Sequence, residues 1–284
     1  RNNRKRDCGM ISDKRILIAS PVRERPEILR EYADSLLNLN REGIKTDFLF
    51  IDDNIDKESV DVLQKLAQML SGTLINGDRK TLSSRTDYQS KWNSDTILRV
   101  SKYRNSILKF AREQDFDGLF FIDSDLLLHP NTLIHLIEQD KDIISEIYWT
   151  RWAPSGPLYP QVWLYDNYTQ YESNGTVVLS PEQIRRKTEA FHSMLKRPGI
   201  YKVGGLGGCT LINKKVLNSD VSYTKVYNLS FSGEDRHFCV RAAVNGFTMY
   251  VDTVYPAFHI YRSAELNGCK EFKKNCLYKK MIDI

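Results

Sequence analysis

The residues best suited to chemistry are acids that close apolar runs. Asp123-Ser124-Asp125 ends Gly118-Leu-Phe-Phe-Ile-Asp123. Two carboxylates one residue apart at a strand end can share a divalent ion and a ligand, and oxygen donors favour Mg2+ or Mn2+. The triplets Asp115/Asp117 and Asp140/Asp142 lack that setting. Asp52-Asp53-Asn54 closes a second apolar run. There a carboxylate can accept hydrogen bonds from a nucleobase or ribose, or make an Asx turn leading to an Asp56 cap. Glu234-Asp235 precedes an apparent helix, where the dipole favours acids in any case. A carboxylate in a partly desolvated cleft can also take a proton from an acceptor. His259 ends a strand-like run and becomes a ligand candidate beside a carboxylate site. Arg104 and Arg262 could neutralise phosphate. Gly204-Gly-Leu-Gly-Gly208 lets backbone approach a ligand closely, or simply makes a tight turn.

These residues need a scaffold, and the hydrophobic pattern supplies one. Arg15–Ser20, Asp47–Asp52, Gly118–Asp123 and Asp142–Tyr148 read as strands, with two more near 248–252 and 255–260. Glu27–Glu42 repeats apolar pairs at helical spacing, and positions 60, 63, 66, 67 and 70 follow the Asp56 cap. Ile97, Val100, Arg104, Ile107, Leu108 and Ala111 share a helix face, so an arginine interrupts an apolar stripe. Residues 79–95 read as a loop, and further helices are expected near 130–139, 181–195 and 234–245. Strands alternating with helices imply βαβ units and a mostly parallel α/β sheet with helices on both faces. Such sheets bind ligands beyond the carboxyl ends of their strands. Ser20, Asp52/Asp53 and Asp123/Asp125 all stand at those ends.

The chain has 284 residues, 41% hydrophobic and 27% charged. These are globular values and exclude a disordered or collagen-like chain. No apolar run is long enough to span a bilayer. The net charge of +5 sits at the ends: residues 1–15 hold six Lys/Arg against two Asp, and 270–284 five Lys against two acids. A nucleic-acid binder should instead be basic on its folded body, so no nucleic-acid partner is expected. Basic ends are solvated, or touch an acidic membrane surface or another subunit. Five cysteines without a CxxC pair signal neither a disulfide framework nor zinc. A reducing, cytoplasmic setting is expected, and membrane association applies only if the basic ends are not simply solvated. The sequons at Asn167, Asn174 and Asn228 matter only if the chain is a piece of a longer eukaryotic protein of the Golgi or secretory lumen.

In order along the chain stand Ile18-Ala-Ser-Pro-Val22, Ile51-Asp-Asp-Asn54, Tyr103-Arg-Asn105, Asp123-Ser-Asp125, Gly204–Gly208, Gly233-Glu-Asp235 and His259. Together they resemble a GT-A glycosyltransferase, most closely the inverting family-2 type. Asn54-Ile55 replaces the usual Gly-Ser and Tyr103 the usual Ala. The resemblance covers about residues 14–262. It implies a single GT-A domain over 14–265, with a nucleotide-sugar half at 14–128 and an acceptor half at 129–265. Residues 1–13 and 266–284 are then basic tails.

The resemblance also implies roles. Ser20, Pro21, Val22, Arg23, Asp52, Asp53, Arg104, Asp123, Ser124, Gly205, Gly207, Gly208 and Arg262 would surround a nucleoside-diphosphate sugar, by analogy a UDP-sugar. Asp125 and His259, with Asp123, would hold Mn2+ or Mg2+. Asp235 would be the base for an acceptor hydroxyl, supported by Glu234, in a single displacement with inversion. Trp149, Trp152 and Tyr201 would stack on acceptor sugar, or pack in the core. The acceptor itself (glycan, protein or small molecule) is open, since 149–200 carries no family pattern. Donor binding is expected to order 79–95 or the tail after 262. His259-Ile-Tyr261 also resembles the retaining Anp1/Mnn9 mannosyltransferase type. A nucleotidyltransferase would carry a Gly-rich loop after the first strand, where Ser20-Pro-Val-Arg23 has none. A sugar-nucleotide-binding homologue without activity would not need Asp235.

Overall fold

The computed structural model describes residues 14–79, 94–165, 167–172, 176–230 and 232–279. The N-terminal tail 1–13, most of the expected loop 79–95 and the sequon residue Asn174 lie outside these. The first strands are β1 (Arg15–Val22), β2 (Lys45–Asp52), β3 (Thr73–Asn76), β4 (Gly118–Ile122) and β5 (Leu126–Leu127). They continue with β6 (Ile143–Arg151), β7 (Leu158–Pro160), β8 (Ile200–Val203), β9 (Cys209–Asn213) and β10 (Met249–His259). Helices α1 (Pro26–Asn38), α2 (Lys57–Met69), α3 (Ser94–Glu113) and α4 (Thr132–Glu138) connect the early strands. Then come α5 (Pro181–Leu195), α6 (Lys214–Leu217), α7 (Glu234–Val244) and α8 (Leu266–Asn275).

All described strands join one sheet with the path β3-β2-β1-β4-β9-β6-β10-β5, β7 and β8 pairing β6 and β10. One continuous sheet makes a single domain. The first four strands are parallel. The second half is mixed: β9 runs antiparallel between β4 and β6, while β6 and β10 are parallel. Two reversals restore direction, so β1, β2, β4, β6 and β10 all end at one edge.

Alternation along the buried strands builds two cores. Leu17 and Ala19 of β1 face α3, α5 and α7, whereas Ile16 and Ile18 face α1, α2 and α4. Both faces are covered, which is why β1 and β4 read as unbroken apolar runs. Helix α2 starts where Asp56 accepts a hydrogen bond from the Ser59 amide at 3.1 Å. Helix α5 opens on a Ser180/Gln183 capping box.

Two expectations change. The pair of strands at 248–252 and 255–260 is one strand, β10. Its register against β6 slips between Asp252 and Ala257, so an irregularity, not a turn, separates the two apolar stretches. Residues 266–275, read as basic tail, form helix α8. Its Cys269 is buried with Ile28, Leu127 and Ile260. Lys273 Nζ lies 2.8 Å from both Glu31 and Asp34 carboxylates, and this pairing lets a lysine sit at a buried face.

Candidate active site

The turn after β4 is stapled on both sides. The Asp123 amide donates to the Gly208 carbonyl at 2.7 Å, and the Ile260 amide donates to the Asp125 carbonyl at 2.8 Å. The D-S-D segment is therefore fixed between the glycine loop and the end of β10. The β6/β10 register places His259 beside Thr150. His259 Nδ1 lies 2.8 Å from Thr150 Oγ1, and Nε2 lies 3.2 Å from Asp125 Oδ2. Burial works against the charged His259 ring, but Asp125 outweighs it and the pKa is raised. A ring hydrogen on Nε2 can donate to Asp125; with the hydrogen on Nδ1 and donated to Thr150, Nε2 and the carboxylate are both left as acceptors that a cation can bridge. Carboxylate plus imidazole is also a donor set for Mn2+ or Mg2+, and Thr150 is the outer partner that a ligating histidine needs. The pair thus fits a divalent ion that draws its other ligands from outside the protein. Among the described residues no group of three or more His, Cys, Asp and Glu side chains closes a metal cage. Asp123 belongs to a different set of partners.

That set is built on Arg104. Its position on the apolar stripe of α3 buries it to 3% exposure. Arg104 Nη2 donates to Asp123 Oδ1 at 2.6 Å, Nε lies 3.3 Å from Glu234 and Nη1 3.4 Å from Asp235. Its guanidinium also lies over the rings of Phe121 and Tyr223. One buried cation therefore joins the acids after β4 to the acids opening α7. A third of the Asp123 side chain meets solvent. Even so, desolvation in the cleft raises its pKa to about 7, Arg104 opposing and Asp125 and Asp235 adding to the rise. Glu234 is fully inward, and burial with the Asp235 charge pushes it up to about 8. Asp235 is a quarter exposed and also raised by desolvation, again opposed by Arg104. The two neighbours differ: Glu234 is buried, and Asp235 is a quarter exposed toward the cleft.

The glycine loop explains how strands and acids come this close. A Cβ on Gly208 would stand 2.3 Å from Asp123 Oδ2 and 2.6 Å from the Tyr148 hydroxyl. On Gly207 it would stand 2.8 Å from Asp235 Oδ2. Gly205 packs on Trp163 instead, and a Cβ there would enter the indole.

No family model matches the chain. A protein described as a glycosyltransferase 25 family member from Anopheles gambiae is 25% identical over 178 residues, 60% of this chain and 29% of its own length. The chain thus spans less than a third of that curated relative. The solved mannosyltransferase PcManGT from Pyrobaculum calidifontis, in complex with GDP-Man and Mn2+, aligns with a TM-score of 0.50 at 10% identity. The alignment covers 92% of this chain and 61% of that one. The fold is a glycosyltransferase fold.

On this glycosyltransferase fold the remaining expected residues divide sharply. Asp52 is fully buried and accepts from the Asn54 amide at 3.0 Å, from Asn54 Nδ2 at 2.8 Å and from Arg79 Nη2 at 2.5 Å. It makes the Asx turn. Asp53 accepts from Tyr103 at 2.9 Å and from the Arg79 amide at 2.8 Å, and pairs with Arg23 and Arg99 at 3.1 Å. The Ser20 hydroxyl is hydrogen-bonded to Tyr32, behind β1. Pro21 is half-buried, Val22 packs in the core and its carbonyl holds the Asp53 amide, and Ser124 is buried within the D-S-D turn. Arg262 Nη2 donates to the Arg151 carbonyl at 2.7 Å and to Glu265 at 3.0 Å, tying the chain after β10 to the end of β6. Trp149 packs against the core and its ring meets His192 at 6.0 Å. Tyr201 lies opposite Val251, at the far end of β10 from His259, with its hydroxyl on the Arg197 carbonyl. Trp152 alone of the three aromatics is largely exposed.

Sequence reasoning missed Tyr148, Thr150 and Arg99. Tyr148 packs edge-on against His259 at 5.2 Å, and its pKa is raised by burial and then by Asp123, Asp235 and Asp125. The signal was strand alternation: once His259 is a candidate, the even positions of β6 share its face. Arg99 lies four residues before Tyr103, so one turn of α3 brings both to Asp53.

Proposed function

We propose that this chain transfers a sugar from a nucleoside-diphosphate sugar to an acceptor hydroxyl, with Mn2+ or Mg2+, by single displacement with inversion. The observation that carries the proposal is the Arg104 junction, which gathers Asp123, Glu234 and Asp235 into the cleft that also holds Asp125 and His259. Asp235 takes the proton from the acceptor hydroxyl. The oxygen then attacks the anomeric carbon, the bond from that carbon to the diphosphate breaks, and the nucleoside diphosphate leaves. Desolvation supports this assignment, because a raised carboxylate pKa makes a better base near neutral pH. Glu234 beside it is pushed toward its neutral form by burial and by the Asp235 charge, which limits the build-up of negative charge there. Arg104 holds the donor side and the base side at a fixed separation. A divalent ion held by Asp125 and His259 would supply charge neutralisation for the leaving diphosphate.

UDP-sugars are the first donors to try, and GDP-mannose is the second, since the solved mannosyltransferase holds GDP-Man with Mn2+. The test is a panel of UDP- and GDP-sugars with release of nucleoside diphosphate as readout, in Mn2+ and in EDTA. Metal-dependent release from one donor supports the reading. Binding of no nucleotide sugar overturns it.

A further inference from the structure

The chain after β7 turns back on itself at Tyr168. The Leu164 amide donates to the Thr169 carbonyl at 2.8 Å, and Tyr165 and Thr169 exchange backbone hydrogen bonds at 3.3 Å. Tyr168 lies inside this turn with φ at +56°. A bulky side chain rarely adopts left-handed backbone, and such strain gathers where function requires it. Among the described residues no other aromatic side chain does so. Tyr168 is 37% exposed, so deep core burial does not offset the strain. Contacts at its two ends do. The ring meets the Trp163 indole at 4.6 Å. Trp163 is tied to the glycine loop: its amide donates to the Gly205 carbonyl at 3.1 Å, and its carbonyl accepts from the Gly204 amide at 2.8 Å. At the other end, the Tyr168 hydroxyl is hydrogen-bonded to Ser232 and fills the space beside Gly233. A Cβ on Gly233 would stand 2.3 Å from that hydroxyl oxygen but 3.5 Å from the ring carbon that carries it. Gly233 itself is extended, with φ at −175°, which any residue adopts. Tyr168, and not the backbone, therefore demands a glycine before Glu234 and Asp235. Burial, and then the Asp235 and Glu234 charges, raise the pKa of the Tyr168 hydroxyl, so it stands in the field of both acids.

We propose that Tyr168 is the positioning residue for Asp235: its hydroxyl wedges against Gly233 and fixes the start of α7, so that the carboxylate is aimed into the cleft. The proposal rests on the glycosyltransferase reading above and adds to it a residue outside both acid motifs. The turn brackets Asp235. One end reaches the glycine loop, whose Gly207 leaves room for Asp235 Oδ2, and the other reaches the residue from which α7 starts. The donor side is held by other contacts, Thr150 on His259 and the Ile260 amide on the Asp125 carbonyl. Loss of the wedge should therefore slow transfer and spare donor binding, a split that a merely structural contact would not produce.

The experiment is a double-mutant cycle on the full chain with Mn2+: wild type, Tyr168→Phe, Gly233→Ala and the two together. Each is read by turnover of the nucleotide sugar that the UDP- and GDP-sugar panel selects, by calorimetric binding of that donor, and by melting temperature. Tyr168→Phe should lower kcat about tenfold, with donor affinity and melting temperature unchanged. Gly233→Ala should lower kcat about a hundredfold and lower the melting temperature, because its Cβ meets the hydroxyl. Tyr168→Phe removes the atom that it meets. The pair should therefore return to the kcat of Tyr168→Phe and recover most of the melting temperature. Losses that multiply in the pair overturn the wedge. So does a kcat unchanged in Tyr168→Phe, or one that falls together with donor affinity; these outcomes leave the proposed function standing. A wild type that binds no nucleotide sugar removes the proposed function instead. The melting temperatures then decide the wedge by themselves: recovery in the pair keeps Tyr168 as the residue that fixes the start of α7, and additive loss overturns it.

Discussion

Two acidic clusters stand on the same edge of the sheet, and they are built for different ends. At the end of β2, Asp52 and Asp53 are nearly dry and their oxygens are claimed by Asn54, Arg79, Tyr103, Arg23 and Arg99. The cluster holds a turn and clamps the start of α3 to the β-strand edge. At the end of β4, the acids share one buried arginine and keep oxygen atoms toward the cleft. Buried charge matched by several cations stabilises and orients; acids that outnumber their cation keep raised pKa values and stay available for protons or metal. D-D-N and D-S-D look alike as text. The count of cations facing each one separates them.

The contrast can be broken most sharply at Asp235. Asp235→Asn should cut turnover by about 10²–10⁴ while leaving donor affinity intact, as expected for loss of a general base. Steady-state rates beside donor titrations check this, and a variant that turns over normally would move the base elsewhere. Next is Arg104→Leu, which removes the one cation that Asp123, Glu234 and Asp235 share. A stability loss of about 3 kcal/mol is expected in denaturant titrations; an unchanged midpoint would mean that the acids do not depend on Arg104. Asp52→Ala should act on the other cluster, costing about 2 kcal/mol through its orphaned amide and arginine partners, with Mn2+ affinity unaltered. Altered Mn2+ affinity there would erase the distinction between the clusters. The smallest effect belongs to Thr150→Val. It removes the partner of His259 Nδ1 and should weaken Mn2+ binding about tenfold, as read by calorimetry; no change would place the ion away from His259.

Much of this was legible in the sequence because it rests on local pattern. The apolar runs closing in Ser20, Asp52 and Asp123 gave the parallel half of the sheet. The arginine interrupting the α3 stripe identified the residue that joins the two acid motifs. What stayed hidden depends on pairing between distant segments. Nothing local shows that β9 inserts antiparallel between β4 and β6, and that insertion brings Gly207 and Gly208 against Asp235 and Asp123. Tyr148 and Thr150 were overlooked for the same reason, since their meaning comes from the register with β10. Trp149 attracted notice by its size, yet alternation turns it away from its two functional neighbours. The C-terminal lysines read as a tail because the carboxylates that receive Lys273 lie on α1, more than two hundred residues earlier.

The proposed function makes the β4/β10 cluster, and not the β2 cluster, the metal-dependent reaction centre. The most direct test is calorimetric binding of nucleoside diphosphate with and without Mn2+, in wild type and in Asp125→Ala. Mn2+ should strengthen binding to the wild type and have no effect on the variant. Equal Mn2+ enhancement in both proteins would contradict it.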